Sequence, residues 1–518
     1  MYSRQKKDIL DKYLREILCA NVYDVAKESK LEFAPIISKK IGKKIFYKRE
    51  DQQETFSFKI RGAYNKMSHL SSAELLRGVI AASAGNHGQG VSLAAKKLKI
   101  RSTIVMPQTT PSVKVTSVKR LGSDVVLHGD SYSDAFEEAK KIARRSKKQL
   151  IHPFDDMHVI AGQGTIGMEI IRQMSEPIDA IFIAVGGGGL ISGIGCYIKS
   201  IRPDIKIIGV QTTDSDAMMR SIEKGKRIKL KHVGIFSDGT AVKQVGSETF
   251  KLAKLVVDDF CIVTADEICA ATRDIFEDTR TIQEPAGAMA LAGLKKYVLA
   301  DGNKKKLDNL VAITCGANVN FDRLRIIAER SELGENKEAL LAISLPEQRG
   351  SFLKLCETLG NRHITEFNYR MEDSSTAIVF AGIEVKDAKE KTKTLKELKA
   401  HGFKVFDLSD DEISKSHIRH MVGGKSNHTD NEKLFKFDFP ERPGALTSFL
   451  SKMHPSWNIS LFNYKNNGTD SGKILIGLQV PENERRLLEK FLKQLGYEYT
   501  NESKNLAYRL FLNKKSLR

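Results

Sequence analysis

Ile181-Phe182-Ile183-Ala184-Val185-Gly186-Gly187-Gly188-Gly189-Leu190, followed by the helical run Ile191 to Lys199, is the stretch whose reading decides the fold. A short, wholly apolar run that breaks into glycine and resumes as a helix is expected of a strand buried in a parallel sheet. Successive glycines let backbone N–H groups crowd around one oxyanion, and the helix that follows adds the positive end of its dipole. No Gly-Lys-Ser/Thr follows, so this is not a Walker loop. Ile191 and Ser192 stand where a dinucleotide fingerprint needs its last glycine. Two readings remain, a cradle for a small monophosphate and a flexible turn.

Outward from this stretch, the first 325 or so residues alternate strands with helices. Gly78 to Ser83, Ser102 to Pro107, Asp124 to Leu127, Ile178 to Val185 and Lys206 to Gln211 have the composition of strands. Val91 to Leu98, Ser112 to Leu121 and a charged run up to Lys147, with Ser133 as its cap, have that of helices. Such alternation implies an α/β fold with parallel sheets covered on both faces, whose ligands sit at the carboxyl ends of the strands. Beyond about Arg330 the texture changes and a repeat appears. Leu341 to Phe352 with Ile364 to Arg370 corresponds to Phe435 to Leu446 with Ile459 to Lys465, and Pro346 and Pro440 lie 94 positions apart. Each copy runs strand, Pro-Glu-x-x-Gly turn, helix, then a strand carrying Phe-Asn-Tyr. Further strands are expected at Thr376 to Ile383 and Lys473 to Val480, and two copies of a small α+β unit imply a paired module.

Composition narrows the classes. The chain has 518 residues, 41% of them hydrophobic, enough for several cores. No run approaches the roughly 18 uncharged apolar residues of a membrane helix. The start, Met1 to Asp8, lacks the apolar core of a secretion signal, and the six cysteines form no CxxC pair. A cytoplasmic, reduced protein without a metal site or membrane partner is expected. The net charge of +19 points towards nucleic acid, but its lysines are interleaved with Asp and Glu and no nucleic-acid motif accompanies them. We therefore expect no nucleic-acid partner and treat the charge as surface composition.

Candidate chemistry lies in three further stretches. Ser57-Phe58-Lys59-Ile60-Arg61-Gly62-Ala63 places Lys59 at the opening of an amphipathic helix, Ile60 to Leu70. A lysine in an apolar setting has a lowered pKa and can act as a Schiff-base amine. Ser83-Ala84-Gly85-Asn86-His87 is a strand-to-helix turn with groups that can grip a carboxylate or a phenolic oxygen, though Asn and His in such a turn often serve the turn itself. Leu310 to Asn318 is a strand ending at Cys315, which fits either a buried structural cysteine or a partner for a heteroaromatic nitrogen. Glu284, near a helix start, fits simple capping. Amine, phosphate cradle, carboxylate loop and ring partner together are what pyridoxal 5'-phosphate requires.

The wording of these motifs is also familiar. Residues 5–518 resemble the biosynthetic threonine dehydratases (threonine deaminases) along nearly their whole length. The Lys59 motif, Ser83 to His87 and the tetraglycine loop mark the wider fold-type II pyridoxal-phosphate family. Ser331-Glu332-Leu333-Gly334-Glu335, Glu366 to Arg370 and Asp407 to Glu412 narrow the resemblance to this enzyme. It implies a fold-type II catalytic domain over 1–325 and a connecting neck over 326–336. It also implies two ACT-like, ferredoxin-like subdomains over 337–411 and 433–505, separated by a linker over 412–432.

The resemblance further implies that Lys59 holds pyridoxal phosphate as a Schiff base and removes the Cα proton of L-threonine, giving 2-oxobutanoate and ammonia. It gives Phe58, Asn86, Gly186, Gly187, Gly188, Gly189, Leu190 and Cys315 to the cofactor, with Asn86 at the phenolic oxygen and Cys315 at the ring nitrogen. Ser83, Ala84, Gly85, Asn86 and His87 fall to the substrate carboxylate. Ala84 replaces the serine that serine racemases of this family use as second-face acid, so racemisation is disfavoured. Feedback inhibition by isoleucine, opposed by valine, is implied for the repeated half, with Tyr369 and Tyr464 as candidate effector contacts or, equally, core aromatics. A homotetramer is implied likewise. The competing class is an effector-binding regulator on a dead enzyme fold, which the intact Lys59, glycine loop and Cys315 oppose.

Overall fold

The structure, a computed structural model, describes residues 2–300, 307–335, 337–346, 351–360, 362, 364–368, 376–420, 431–440, 452–454, 456–465 and 471–513. The chain divides into two compact units, Met1–Phe321 and Asp322–Arg518.

The strands of the first unit are β1 (Leu31–Phe33), β2 (Lys44–Arg49), β3 (Val79–Ala82), β4 (Ser102–Met106), β5 (Asp124–Leu127), β6 (Gln149–Leu150), β7 (Ala180–Ala184), β8 (Lys206–Thr212), β9 (Asp259–Val263) and β10 (Asn309–Thr314). Among the described residues they form a six-stranded sheet, order β1-β2-β10-β7-β8-β9, and a four-stranded sheet, order β5-β4-β3-β6. Every pairing is parallel except β1 with β2. Strands β3, β4 and β7 are buried along their whole length, which is why their sequences are apolar without alternation.

The helix Lys59–Ser68 starts at the expected lysine and turns Ile60, Ala63, Tyr64 and Met67, a 3.6-residue stripe, into the core under the smaller sheet. Its other side meets the helix Met157–Gln173 at two glycines. A Cβ on Gly62 would lie 2.6 Å from Val159 O, and one on Gly162 would lie 2.7 Å from the Gly62 Cα. The charged helix is Tyr132–Ser146, and its cap is Ser131, not Ser133 as expected from sequence. Ser131 wins because Asp134, three positions on, completes a capping box with it.

In the second unit the strands are β11 (Glu338–Pro346), β12 (Ile364–Asn368), β13 (Thr376–Glu384), β14 (Lys404–Asp407), β15 (Glu432–Pro440), β16 (Asn458–Lys465), β17 (Ser471–Gln479) and β18 (Glu498–Asn501). They form two antiparallel sheets of one topology, β12-β13-β11-β14 and β16-β17-β15-β18. The equivalence reaches single hydrogen bonds. Leu340 N–H donates to Ser409 Oγ at 3.2 Å and Leu434 N–H to Ser503 Oγ at 3.0 Å. Leu408 N–H meets Leu340 O at 2.7 Å and Glu502 N–H meets Leu434 O at 2.8 Å. Each partner lies 94 positions from its counterpart.

The two copies also share one apolar cluster. Leu340, Phe380 and Leu408 of the first copy and Leu434 and Leu475 of the second meet around Tyr508, Leu510 and Phe511 of the helix Leu506–Phe511. Residues 412–416 and 418–420 are helical, and Ile413 and Ile418 belong to this same cluster. Tyr369 lies outside the described residues. Tyr464 is placed by its backbone in β16, opposite Ile474 of β17.

Candidate active site

Lys59 sits where two distant parts of the chain are stitched together by backbone. Ser57 forms an antiparallel bridge with Gly316, Phe58 N–H donates to Cys315 O at 3.3 Å, and Ala317 N–H donates to Phe56 O at 2.9 Å. The turn before the lysine is thereby laid along the end of β10. Phe56 accepts a φ of 53° to make it. The Lys59 ammonium donates to Pro153 O at 3.3 Å and lies 5.2 Å from the Phe58 ring centroid. Burial pushes its pKa down to about 8, while Cys315 and Glu284 act in the opposite direction.

Two residues on, Arg61 is wholly buried in a network of ions. Its guanidinium donates to Glu50 at 2.7 and 2.8 Å, to Glu169 at 2.5 and 2.9 Å and to Thr165 Oγ1 at 3.1 Å. Lys48, equally buried, lies 2.6 Å from Glu169 and donates to Ser29 O at 2.7 Å. Two cations thus balance two carboxylates, and the first turn of the lysine's helix is fastened to Glu50, just past β2, and to the helix Met157–Gln173.

Across from Lys59 the glycine loop closes β7. Gly188 takes φ +97°, and a Cβ there would lie 2.4 Å from Met218 Cε. A Cβ on Gly187 would enter the Phe154 ring, at 2.3 Å. The helix then runs Gly189–Ile201, starting two residues earlier than the sequence indicates. Among the described residues, no protein group accepts from the amides of Gly187, Gly188, Gly189 or Leu190. Free N–H groups at a helix start, on glycines whose side chains would fill the space, fit an anion such as a phosphate. The loop's shape is held from outside, since Thr249 Oγ1 donates to Gly187 O at 2.6 Å.

The third stretch opens the helix Asn86–Leu98. Ser83 Oγ accepts from Gly85 N–H at 3.2 Å, and buried His87 bonds Ile151 O through Nε2 at 2.9 Å. Burial and the Lys59 charge push His87 down to about 3, so it is neutral and serves the turn. Asn86 is oriented by a chain of amides: Asn318 Nδ2 donates to Asn86 Oδ1 at 2.7 Å, and Asn86 Nδ2 donates to Glu284 Oε1 at 2.5 Å. Glu284 stands at the N-cap of the helix Pro285–Leu299 yet makes no side-chain cap bond, so the capping expected of it is not its use. A Cβ on Gly316 would lie 2.3 Å from Glu284 Oε1 and 3.2 Å from Asn86 Nδ2, which places this chain beside Cys315. The buried Cys315 thiol donates to Ala286 O at 3.2 Å, and burial pushes its pKa up, so it stays a neutral thiol. The structure therefore gathers Lys59, Asn86, Glu284 and Cys315 at the carboxyl ends of β3 and β10. An amine of lowered pKa, a free-amide cradle and a neutral hydrogen-bonding thiol fit pyridoxal phosphate.

Comparison with known proteins agrees. The family model described as pyridoxal-phosphate dependent enzyme matches residues 23–316. The model for the C-terminal regulatory domain of threonine dehydratase matches twice, at 329–418 and 423–512. The biosynthetic L-threonine dehydratase of Burkholderia multivorans is 52% identical over 504 residues, covering 97% of this chain and 99% of its own. The mitochondrial threonine dehydratase of Saccharomyces cerevisiae is 47% identical, over 96% of this chain and 89% of its own.

The chain belongs to the biosynthetic threonine dehydratase family of pyridoxal-phosphate-dependent enzymes.

A solved threonine deaminase family structure, the processed isoform 2 from Solanum lycopersicum, aligns with TM-score 0.61 and 47% identity over 63% of this chain and 89% of that one. Serine racemase from Dictyostelium discoideum aligns with TM-score 0.55 and 34% identity over 60% and 98%. The fold-type II catalytic half and the duplicated regulatory half expected from sequence are therefore those of the threonine dehydratase family. Sequence reading missed Pro153, Phe154, Thr249 and Asn318. The signal for the first two was available in His152-Pro153-Phe154-Asp155-Asp156, a turn-forming cluster just past the short strand β6. Thr249 and Asn318 act only through tertiary contact and leave no local pattern.

Proposed function

We propose that this chain converts L-threonine to 2-oxobutanoate and ammonia, with pyridoxal 5'-phosphate held through Lys59. The observation that carries the reading is a lysine of lowered pKa fixed beside an amide cradle, in a chain matching a threonine dehydratase over 97% of its length. Gly186 to Leu190 would hold the phosphate, Phe58 would line the ring's site, Asn86 would take the phenolic oxygen, and Cys315 would offer a neutral partner to the ring nitrogen. Bound there, the cofactor supplies a sink for the electron pair left on Cα when its proton departs. Lys59 would accept that proton at Nζ. Its pKa of about 8 leaves an appreciable neutral fraction near pH 7. Ser83, Ala84, Gly85 and Asn86 orient the substrate carboxylate, and His87, expected from sequence to share that task, holds their turn through Ile151 O. Ala84 offers no acid on the opposite face, which favours loss of the β-hydroxyl over reprotonation at Cα.

On this reading residues 1–325 are the catalytic domain, 326–336 a neck, and 337–411 and 433–505 the ACT-like subdomains about a 412–432 linker. Isoleucine inhibits through the repeated half and valine opposes it, with Tyr369 and Tyr464 as contacts, in a cytoplasmic homotetramer. The test is 2-oxobutanoate formation from threonine, with and without isoleucine, for the wild type and Lys59→Ala. Turnover suppressed by isoleucine and lowered about 10²–10⁴-fold or more in Lys59→Ala is expected. Full turnover in Lys59→Ala removes the lysine, and indifference to isoleucine removes that effector.

A further inference from the structure

Three residues of the segment between β6 and the helix Met157–Gln173 touch the site from three directions. Pro153 O accepts from the Lys59 ammonium at 3.3 Å. The half-buried Phe154 ring lies against the glycine loop, where a Cβ on Gly187 or Gly189 would come within 2.3 or 3.0 Å of Phe154 atoms. Asp155 caps the helix Ser247–Val256 from outside, its carboxylate accepting from the amides of Ser247, Glu248 and Thr249 at 2.8, 2.8 and 3.2 Å. Thr249 in turn donates to Gly187 O. The contacts form a closed circuit from Phe154 to Gly187, on to Thr249 and back through Asp155.

One side chain folds the segment. His152 Nδ1 accepts from Phe154 N–H at 3.3 Å and from Asp155 N–H at 2.8 Å, the pattern of an Asx turn made with imidazole. An accepting Nδ1 leaves the ring's proton on Nε2, so the imidazole is neutral. Its ring stands edge-on to Phe136, at 5.6 Å between centroids, and to Phe154, at 4.7 Å. Burial, with Lys59 and Lys140, pushes His152 down to about 4 against the pull of Asp155 and Asp156.

We propose that His152 is a positioning residue for the cofactor: its Nδ1 folds residues 152–155 into the turn that sets the Lys59 amine and the glycine cradle at one fixed separation. It touches neither substrate nor cofactor and acts through Pro153 and Phe154. The proposal rests on the reading that pyridoxal phosphate spans from Lys59 to the cradle.

The test is the dissociation constant of pyridoxal phosphate for the full-length apoprotein, with the apoprotein's thermal midpoint measured alongside. His152→Phe keeps a flat ring between Phe136 and Phe154 but accepts no hydrogen bond. It should bind the cofactor about tenfold or more weakly. His152→Asn restores an acceptor for the same two amides and should return binding to within about threefold of wild type. A folded His152→Phe that binds as tightly as wild type overturns the proposal, as does His152→Asn binding as weakly as His152→Phe. If His152→Phe does not fold, Phe154→Ala replaces it, keeping the turn and deleting only the ring on the glycines; weakened binding supports the proposal and wild-type binding overturns it. A wild type that takes up no pyridoxal phosphate overturns the functional reading itself, and is thereby distinguished from a wild type that binds no better than its variants.

Discussion

Asn505 Nδ2 donates to Asp411 Oδ2 at 3.1 Å, and the two residues are counterparts in the internal repeat, 94 positions apart. Each caps its own helix. Asp411 Oδ1 accepts from Ser414 N–H at 2.6 Å, and Asn505 Oδ1 accepts from the amides of Ala507 and Tyr508 at 2.9 and 3.4 Å. The regulatory unit thus joins its two copies through the caps of two equivalent helices.

Asp411→Ala and Asn505→Ala should each lower stability by about 1–2 kcal/mol through the lost cap. The double variant should cost about 0.5–1.5 kcal/mol less than the sum, because the shared bond is lost once. Trp457 is the chain's one tryptophan and is buried in the second copy, so its fluorescence during urea unfolding follows this unit. Strict additivity of the two variants would show that the copies are joined by apolar packing alone.

Arg61 gives a larger effect. Arg61→Met leaves Glu50 and Glu169 buried with only Lys48 between them, and should cost about 3–5 kcal/mol. Arg61→Lys should recover part of that, since one ammonium cannot make the guanidinium's paired contacts with both carboxylates. Urea unfolding followed by far-ultraviolet circular dichroism measures both. Arg61→Met as stable as wild type would mean that the quartet adds nothing to the fold.

The lowered pKa of Lys59 sets a pH dependence. The neutral amine is the nucleophile, so capture of pyridoxal phosphate by the apoprotein should rise with pH and level off with a midpoint near 8 rather than the ordinary 10.5. Stability follows the same direction. The folded apoprotein binds fewer protons here than the unfolded chain between about 8 and 10.5, so this residue's contribution increases as pH rises through that window and is least below it. Borohydride trapping of the captured cofactor across pH 6–10 follows the rise; capture still climbing at pH 10, with no levelling, would place Lys59 in water.

Much of this was legible from residues 57–63, which open a helix, and from 83–87, 186–190 and 310–318, each a strand end whose local sequence states its own turn. The duplication was legible for the same reason, since Pro346 and Pro440 punctuate equivalent strands. The fourth strand of each copy was not expected: Lys404–Asp407 and Glu498–Asn501 are short and mixed in polarity, and only the 94-residue offset links them. Ser131 displaced Ser133 as a cap because of a partner three positions on, which a single-residue reading overlooks. Glu284 looked like a cap and proved to be a partner of Asn86, 198 positions away, a relation no local pattern encodes.

The position of β10 has a consequence for how the protein is made. It is the last strand of the first unit to be synthesised, yet it lies in the middle of the sheet, between β2 and β7. While the ribosome is still translating, β2 and β7 each keep an edge open, and β2 waits for a neighbour nearly the whole unit away in sequence. Cys315 and the Gly316 bridge to Ser57 arrive with that final strand, so Lys59 has no finished surroundings until it docks. The seat for the cofactor is therefore among the last parts of the unit to be assembled, and its completion marks a catalytic unit that has closed.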